Sequence, residues 1–219
     1  MSKWETWLSQ QAADREKAGL RRSLAPRPAN DRVLDLAGND YLGLSRDPVV
    51  AAAAADAALL WGAGSGASPL VTGSLALHAR LEEELAEFTG RPAALVLSTG
   101  YHANLAAVTA LADRDTLIVS DAHIHASLVD AVRLSRARLT IVPHSDVAAV
   151  RAALAAHDGR ALVLVESIYS VLGDEAPLTE LAAACDQAGY SSPETGEIID
   201  GAGPGATTAP RGDTDHGGQ

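Results

Sequence analysis

A run of small and hydroxyl-bearing residues lies where a predicted strand passes into a predicted helix. Ser98-Thr99-Gly100-Tyr101 follows the apolar segment 93–98, and the spacing of apolar residues predicts a helix over 101–112. Small residues there let backbone N–H groups and a hydroxyl approach a phosphate, and a helix N-terminus favours its negative charge. An ordinary strand-to-helix turn explains the same residues. The segment therefore indicates either a phosphate site or a plain connection.

Two histidines, His123 and His125, lie two residues apart in the next predicted strand-to-helix connection. A histidine ring at this place could stack on a flat cofactor. A helix-capping turn, with Asp121 or Ser127 as the cap, is the simpler alternative. No third ligand follows at a spacing suited to zinc, so we expect no metal centre.

A carboxylate, Glu166, closes the predicted strand 161–166, and the segment after it ends in the turn Gly173-Asp174. In parallel sheets the ligand sites lie at the carboxyl ends of the strands, so this carboxylate could face a ligand. A solvated strand end is the alternative, and the segment alone favours that interpretation.

These polar segments need a scaffold, and the second half of the chain predicts one. Short apolar runs alternate there with amphipathic patterns. The predicted strands are 93–98, 116–120, 139–142 and 161–166, and the predicted helices are 101–112, 126–135, 146–157 and 177–188. This alternation is typical of βα units and of a mostly parallel sheet that is buried on both faces.

The first half of the chain predicts mainly helices. Residues 3–22 have amphipathic spacing, 33–36 form a short apolar run expected to be a strand, and helices are predicted over 48–60 and 74–89. The expected organisation is an N-terminal helix and strand segment over 1–45, then an α/β domain over 46–190. Residues 191–219 contain seven glycines and few large apolar residues, so we expect a disordered tail.

The composition narrows the class of protein. A net charge of -11 argues against a nucleic-acid-binding protein, which usually carries a basic surface. The single cysteine, Cys185, excludes an internal disulfide framework and is expected on the buried face of a helix. No apolar run is long enough for a transmembrane helix, and the polar N-terminus does not resemble a signal peptide. We therefore expect a cytoplasmic protein that binds neither membranes nor nucleic acid.

Five segments, in this order, resemble the α-oxoamine synthases: NDYLGLS, GAGSGAS with VTGSLALHARLEEELAEF, STGYHANL, SDAHIHASLVDAVRLSRA and VESIYSVLGDEAPL. The resemblance covers residues 1 to about 190. It implies the fold-type I aminotransferase architecture, a homodimer and pyridoxal 5'-phosphate (PLP) as cofactor. Members of this family condense an acyl thioester with an amino acid and release CO2. In the member whose motifs are most similar, the amino acid is L-alanine.

The resemblance also implies roles for individual residues. Those that would contact PLP, at its phosphate, ring edge or ring face, are Thr99, Gly100, Tyr101, His125, Glu166 and Ser170. Of these, His125 matches the histidine that stacks on the pyridine ring. Arg21, with Arg22 as the alternative, and Asn39 would contact the substrate. An arginine suits that task because its planar guanidinium can grip a carboxylate at two points.

The chain departs from the family in one respect that affects catalysis. Its two lysines, Lys3 and Lys17, both lie in the predicted N-terminal helix, which does not suit the Schiff-base lysine of PLP enzymes. The aspartate that pairs with the pyridine nitrogen in this family also has no counterpart. We therefore assign no catalytic residue and expect a chain that is truncated or frameshifted after about residue 190 and inactive alone.

Three alternatives stay open at this stage. The chain could come from another member of the family, such as a glycine C-acetyltransferase or a 5-aminolevulinate synthase, because acyl-chain selectivity depends on pocket shape. It could be a non-catalytic partner of an intact subunit. It could also be a product of a damaged gene with no function.

Overall fold

The computed structural model describes residues 2–29, 31 and 33–190, and the chain divides into two compact units, Met1–Arg46 and Asp47–Gln219. In the first unit, helix α1 spans Lys3–Lys17 and begins with a capping box between Ser2 and Glu5. The predicted helix was longer, to residue 22. The observed helix ends earlier because Gly19 adopts a left-handed conformation (φ 68°), which lets the amide of Leu20 donate a hydrogen bond to the carbonyl of Arg15 at 2.8 Å.

The strand predicted at 33–36 is wrong. This segment has no strand pairing, and Val33, Leu34 and Leu36 are 68%, 79% and 87% exposed. An extended apolar run becomes a strand only where a neighbouring strand accepts its hydrogen bonds, and none of the described residues of this unit does so.

The second unit begins with two helices that the sequence predicted. Helix α2 spans Pro48–Trp61, with the side chain of Asp47 as its cap. Helix α3 spans Ala76–Thr89 and ends at left-handed Gly90. Between them, the π-helical turn Pro69–Gly73 packs its last residue so tightly that a Cβ there would lie 1.9 Å from a backbone carbonyl oxygen.

The rest of this unit alternates helices and parallel strands. In chain order the elements are α4 (Gly100–Leu111), β1 (Leu117–Asp121), α5 (Ala126–Ser135), β2 (Arg138–Val142), α6 (Val147–Ala155), β3 (Ala161–Leu164) and α7 (Leu178–Gln187). The sheet order is β2-β1-β3, with Val119 opposite Thr140 on one side and Val163 on the other. The predicted α/β fold with a mostly parallel sheet is therefore confirmed.

Alternate residues of β1 and β3 belong to two separate apolar clusters, because successive side chains of a strand point to opposite faces of the sheet. Ile118, with Leu162 and Leu164, packs against residues of α4 and α5 such as Val108 and Leu128. The residues that point to the other face pack against α6 and α7: Leu117, Val119, Val163 and Val165. The sheet is thus the middle of three layers.

The strand predicted at 93–98 is also wrong. Leu95 is 75% exposed, and the amide of Val96 donates to the side chain of Glu82 at 3.0 Å instead of to another strand. The apolar pattern is present, but β1 already has a strand on each side and no described strand pairs with this segment.

Two further expectations concern the end of the chain. Cys185 lies on α7, half-buried against the cluster that contains Leu181, on the predicted apolar face of a helix. The expected disorder of residues 191–219 falls outside the described residues.

Of the helices that the structure describes, none is long and apolar enough to span a bilayer.

Shortening Leu154 tests whether α6 is anchored in the core as described. Leu154 is 1% exposed in the cluster with Val119 and Leu181, so Leu154→Ala should lower the free energy of unfolding by about 2–5 kcal/mol. Leu134→Ala on α5, where the side chain is 59% exposed, is the control and should cost no more than about 1 kcal/mol. Urea denaturation followed by circular dichroism measures both, and equal losses would contradict this packing.

Candidate cofactor site

The N-terminus of α4 has open amide groups. Thr99 is its cap, and its hydroxyl accepts a hydrogen bond from the amide of His102 at 3.1 Å. The amides of Gly100 and Tyr101 begin the helix, where N–H groups have no acceptor within the helix. Thr99 and Gly100 are exposed. This end of α4 can therefore accept an anion.

Tyr101 joins this helix end to α5. Its hydroxyl donates to the carboxylate of Asp130 at 2.5 Å, and this hydrogen bond, together with partial burial, raises the pKa of Tyr101. The phenol is thereby held in its protonated form. Tyr101 is 40% exposed, so its ring remains accessible beside the open amides.

His125 is held by a hydrogen-bonded chain that runs back to α4. Its Nδ1 lies 2.6 Å from the hydroxyl of Ser127 and accepts from the Ser127 amide at 3.2 Å. The same hydroxyl accepts from the amide nitrogen of Asn104 at 2.9 Å. Because Nδ1 accepts, the network assigns the ring proton to Nε2. The ring therefore has one tautomer and one orientation.

This arrangement corrects the predicted cap of α5. The alternatives from the sequence were Asp121 and Ser127, whereas the capping side chain is that of His125 itself. Asp121 is used elsewhere, and the hydroxyl of Ser127 serves the ring of His125. The sequence signal was ambiguous because histidine is not among the residues that usually cap helices.

Glu166 is buried, so the solvated strand end that the sequence favoured is wrong. Strand β3 ends at Leu164, two residues earlier than predicted, and Glu166 is 0% exposed. Its Oε2 accepts from the amide of Ser170 at 3.1 Å. Its Oε1 makes no hydrogen bond within the described part of the chain. A buried carboxylate oxygen in this state costs free energy unless another donor reaches it.

The structure brings some of the predicted residues together. The α4 end and His125 are joined by the Tyr101–Asp130 and Asn104–Ser127 bonds. Glu166 and the exposed Ser170 follow β3, which pairs directly with β1, so they lie at the same carboxyl edge of the sheet as the loop of His125. The cofactor roles of these residues stay predictions.

The two predicted substrate residues belong to the first unit. Arg21 pairs with Glu16 at 2.6 Å, with both side chains exposed. Asn39 is exposed in a bend. The carboxylate of the neighbouring Asp40 accepts a hydrogen bond from the backbone amide of Ser45 at 3.2 Å. Their roles therefore also stay predictions.

Sequence reasoning missed a group of charged residues at the same edge. His144, just after β2, lies between the carboxylates of Asp121 at the end of β1 (3.0 Å) and Asp174 beyond β3 (2.8 Å). Its ring packs edge-on against Tyr169, with centroids 4.4 Å apart. The available signal was a polar residue at the end of β1 (Asp121) and another soon after β2 (His144), but Asp174 lies ten residues beyond the end of β3 and gave no such signal.

The environment shifts the protonation of these groups. Burial alone would raise the pKa of Asp121, but hydrogen bonds from His144 and from the amides of Ser145 and His123 outweigh it and lower that pKa. Hydrogen bonds to Asp121 and then to Asp174 raise the pKa of His144. Burial and the neighbouring carboxylate of Asp121 raise the pKa of the Tyr169 hydroxyl. The group thus combines two carboxylates of lowered pKa with an imidazole and a phenol of raised pKa.

The family model for aminotransferase class I and II matches residues 31–189. Over 180 residues, the chain is 56% identical to the 8-amino-7-oxononanoate synthase of Mycobacterium ulcerans, and the match covers 82% of this chain and 46% of that protein. This chain therefore belongs to the aminotransferase class I and II family, which confirms the resemblance seen in its motifs.

Solved structures give the same result. A serine palmitoyltransferase from S. paucimobilis, with a bound PLP–myriocin adduct, is 34% identical with a TM-score of 0.67, over 69% of this chain and 38% of that one. An 8-amino-7-oxononanoate synthase from Francisella tularensis is 28% identical with a TM-score of 0.59, over 71% and 43%. The chain thus spans about half the length of the relatives that it matches.

Removing the hydroxyl of Ser127 tests the chain of hydrogen bonds that orients His125. Ser127→Ala leaves the buried amide of Asn104 without its acceptor, so the free energy of unfolding should fall by about 1–3 kcal/mol. Once Asn104→Ala is present, Ser127→Ala should cost clearly less, because the two side chains form one network. Thr109→Ala on α4, an exposed hydroxyl bonded to its own helix, is the control and should be near neutral. Additive losses would refute the network.

Proposed function

We propose that this chain is part of an 8-amino-7-oxononanoate synthase, which joins a pimeloyl thioester (of CoA or acyl carrier protein) to L-alanine with loss of CO2 in biotin synthesis. The observation that supports PLP as the cofactor is the open N-terminus of α4, which the Asn104–Ser127 hydrogen bond connects to the fixed ring of His125. The identity of 56% to the M. ulcerans synthase favours this member over the other α-oxoamine synthases.

The residues present suit the phosphate and ring of PLP but not its covalent attachment. The amides of Gly100 and Tyr101 would meet the phosphate, and the His125 ring, fixed through Nδ1, would lie against the pyridine. The unpaired Oε1 of Glu166 offers one further buried acceptor. Both lysines of the chain lie on α1 in the other unit, where they are exposed.

When bound, PLP supplies an electron sink for the carbon chemistry at the amino acid. The residues of this chain would bind and orient it. Thr99 and Gly100 would hold its anionic end, and His125, oriented through its Asn104–Ser127 support, would contact the ring. Tyr101, held as a neutral phenol by Asp130, would border the ring without adding negative charge.

Two further parts of the proposal concern the substrates and assembly. Arg21 and Asn39 would meet the substrate, since a guanidinium can bind the carboxylate of an amino acid or of a pimeloyl chain at two points. The intact enzyme would act as a homodimer.

The alternative members of the family use other acyl groups and differ in the shape of the acyl pocket. A comparison of pimeloyl-CoA and acetyl-CoA as substrates of the intact enzyme distinguishes these alternatives from the proposed synthase.

Placing a carboxylate at the start of α4 tests the anion site. Gly100→Asp adds negative charge where the phosphate would bind, and a Cβ at this position meets no atom within 4 Å. Pyridoxamine phosphate, which cannot form a Schiff base, is the probe because it reports binding alone. Its affinity, measured by equilibrium dialysis, should fall roughly 2- to 30-fold, the equivalent of about 0.5–2 kcal/mol at a helix N-terminus.

Thr109→Asp is the matched control for that experiment. It adds the same charge to the same helix at an exposed position remote from its N-terminus, so binding should stay within about twofold of the unsubstituted chain. Equal effects of the two substitutions would show that net charge, not a site at Gly100, governs binding.

We further predict that the 219-residue polypeptide alone does not form 8-amino-7-oxononanoate from pimeloyl-CoA and L-alanine. Lys3 and Lys17 are exposed on α1 and have no buried surroundings that would make either one a reactive amine. Product is measured by mass spectrometry, with the M. ulcerans synthase as the positive control. Turnover above background would contradict the prediction, and its loss in a Lys3→Arg/Lys17→Arg variant would assign it to those lysines.

A further inference from the structure

The chain beyond β3 folds back on itself between Ser167 and Ala176, and we call this segment the 167–176 hairpin. Ile168 and Glu175 form an antiparallel bridge, and the amide of Ala176 donates to the carbonyl of Ser167 at 3.0 Å. At the tip, Gly173 adopts a left-handed conformation (φ 76°) that glycine accepts readily. These bonds make the hairpin one local unit, and it carries Ser170, which bonds to Glu166.

We propose that His144 is a positioning residue that fastens the 167–176 hairpin to the carboxyl end of β1, and so fixes Glu166 and Ser170 at the candidate site. Its Nδ1 lies 3.0 Å from Oδ1 of Asp121, and its Nε2 lies 2.8 Å from Oδ2 of Asp174. We call this arrangement the His144 clamp. It concerns the order of the hairpin and does not rest on the proposed reaction.

Both contacts can be hydrogen bonds to ionised carboxylates only when both ring nitrogens donate. A neutral imidazole has one N–H group, so it could donate to one of the two carboxylates and would direct a lone pair at the other. An imidazolium donates to both, and charge-assisted bonds of this kind are the stronger ones. The raised pKa of His144, caused first by Asp121 and then by Asp174, agrees with a protonated ring.

Asp121 holds a second part of the same turn. The residue after His144 is Ser145, whose φ of 55° lies in the left-handed region that non-glycine residues adopt only when their surroundings hold them there. Its amide donates to Oδ2 of Asp121 at 2.7 Å, while Oδ1 of that carboxylate also accepts from the amide of His123 at 2.7 Å. One buried carboxylate thus organises the loops after β1 and β2.

His144 is the group of the clamp whose charge can change near neutral pH, and its ring has several neighbours. The groups that face its ring are Asp121 from β1, His123 from the next loop (centroids 5.0 Å apart), and Tyr169 and Asp174 from beyond β3. On the other side, toward α6, the side chain of Asp146 is turned to the helix amide of Ala149 at 2.9 Å. Both carboxylates of the clamp have lowered pKa values, and the pKa of Tyr169 is raised.

The direction of the pH effect follows from these shifts. Because folding raises the pKa of His144 above its unfolded value of about 6.5, the clamp stabilises in full below that pH. This contribution is lost as pH rises through the raised pKa. On the acid side, the lowered pKa values of Asp121 and Asp174 mean that their contribution is lost as pH falls below about 3.8 through those values.

Amide hydrogen exchange by NMR tests the clamp on the 219-residue chain. Protection factors for the amides of Ser145, Tyr169 and Ser170 are compared across pH, after correction for the intrinsic pH dependence of exchange. We expect them to fall as His144 deprotonates, by up to tenfold for each pH unit by which its measured pKa exceeds that of a free histidine. The amides of α1, a helix of the first unit with no buried residues, open by local unfolding and should show no such step.

Three variants make the result decisive. His144→Gln should lower hairpin protection at pH 6 and abolish the pH step, whereas His123→Gln should keep that step. Asp174→Asn, at an exposed position, should lower the pKa of the His144 ring without unfolding the chain, and so serves if His144→Gln does not fold. A flat pH profile in the unsubstituted chain, or a His144 ring that titrates at or below pH 6.5, would overturn the proposal.

Discussion

Strand β1 is paired on both edges, and the rest of the second unit depends on this. Its residues bond to β2 on one side and to β3 on the other, so the carboxyl ends of all three strands meet at one edge of the sheet. The two faces of β1 also enter different apolar clusters, through Ile118 on one face and Leu117 and Val119 on the other. The helices on both faces therefore take their positions from a single five-residue strand.

Burial of polar groups at that edge explains why the candidate site is ordered. Asp121, Ser127 and Glu166 are each almost inaccessible to solvent, and buried groups of this kind must be hydrogen-bonded or they destabilise the fold. Asp121 and Ser127 meet this requirement with partners from other elements: Asp121 with Ser145 and His144, and Ser127 with Asn104. Glu166 has one oxygen without a partner in the described chain, so a further donor there would remove the cost of leaving that buried oxygen unpaired.

Much of the fold could be predicted from the sequence, because the signals were local. The helices of the second unit follow from apolar spacing and caps such as Asp47 and Gly90, and the βα alternation predicted the parallel sheet. The motifs around Thr99, His125 and Glu166 predicted the family, which the comparisons confirm. The strands expected at 33–36 and 93–98 failed because apolar pattern alone does not provide a hydrogen-bonded neighbour.

The sequence by itself determined the class of fold and the family, since each depends on residue type and order. Only the tertiary structure decided that Glu166 is buried, that His125 caps α5 and is oriented by Ser127, and that His144 joins Asp121 to Asp174. The partners in the His144 clamp are 23 and 30 residues from His144 along the chain. Contacts over such separations depend on which strands lie next to each other in the sheet. A local sequence pattern does not specify that spatial order.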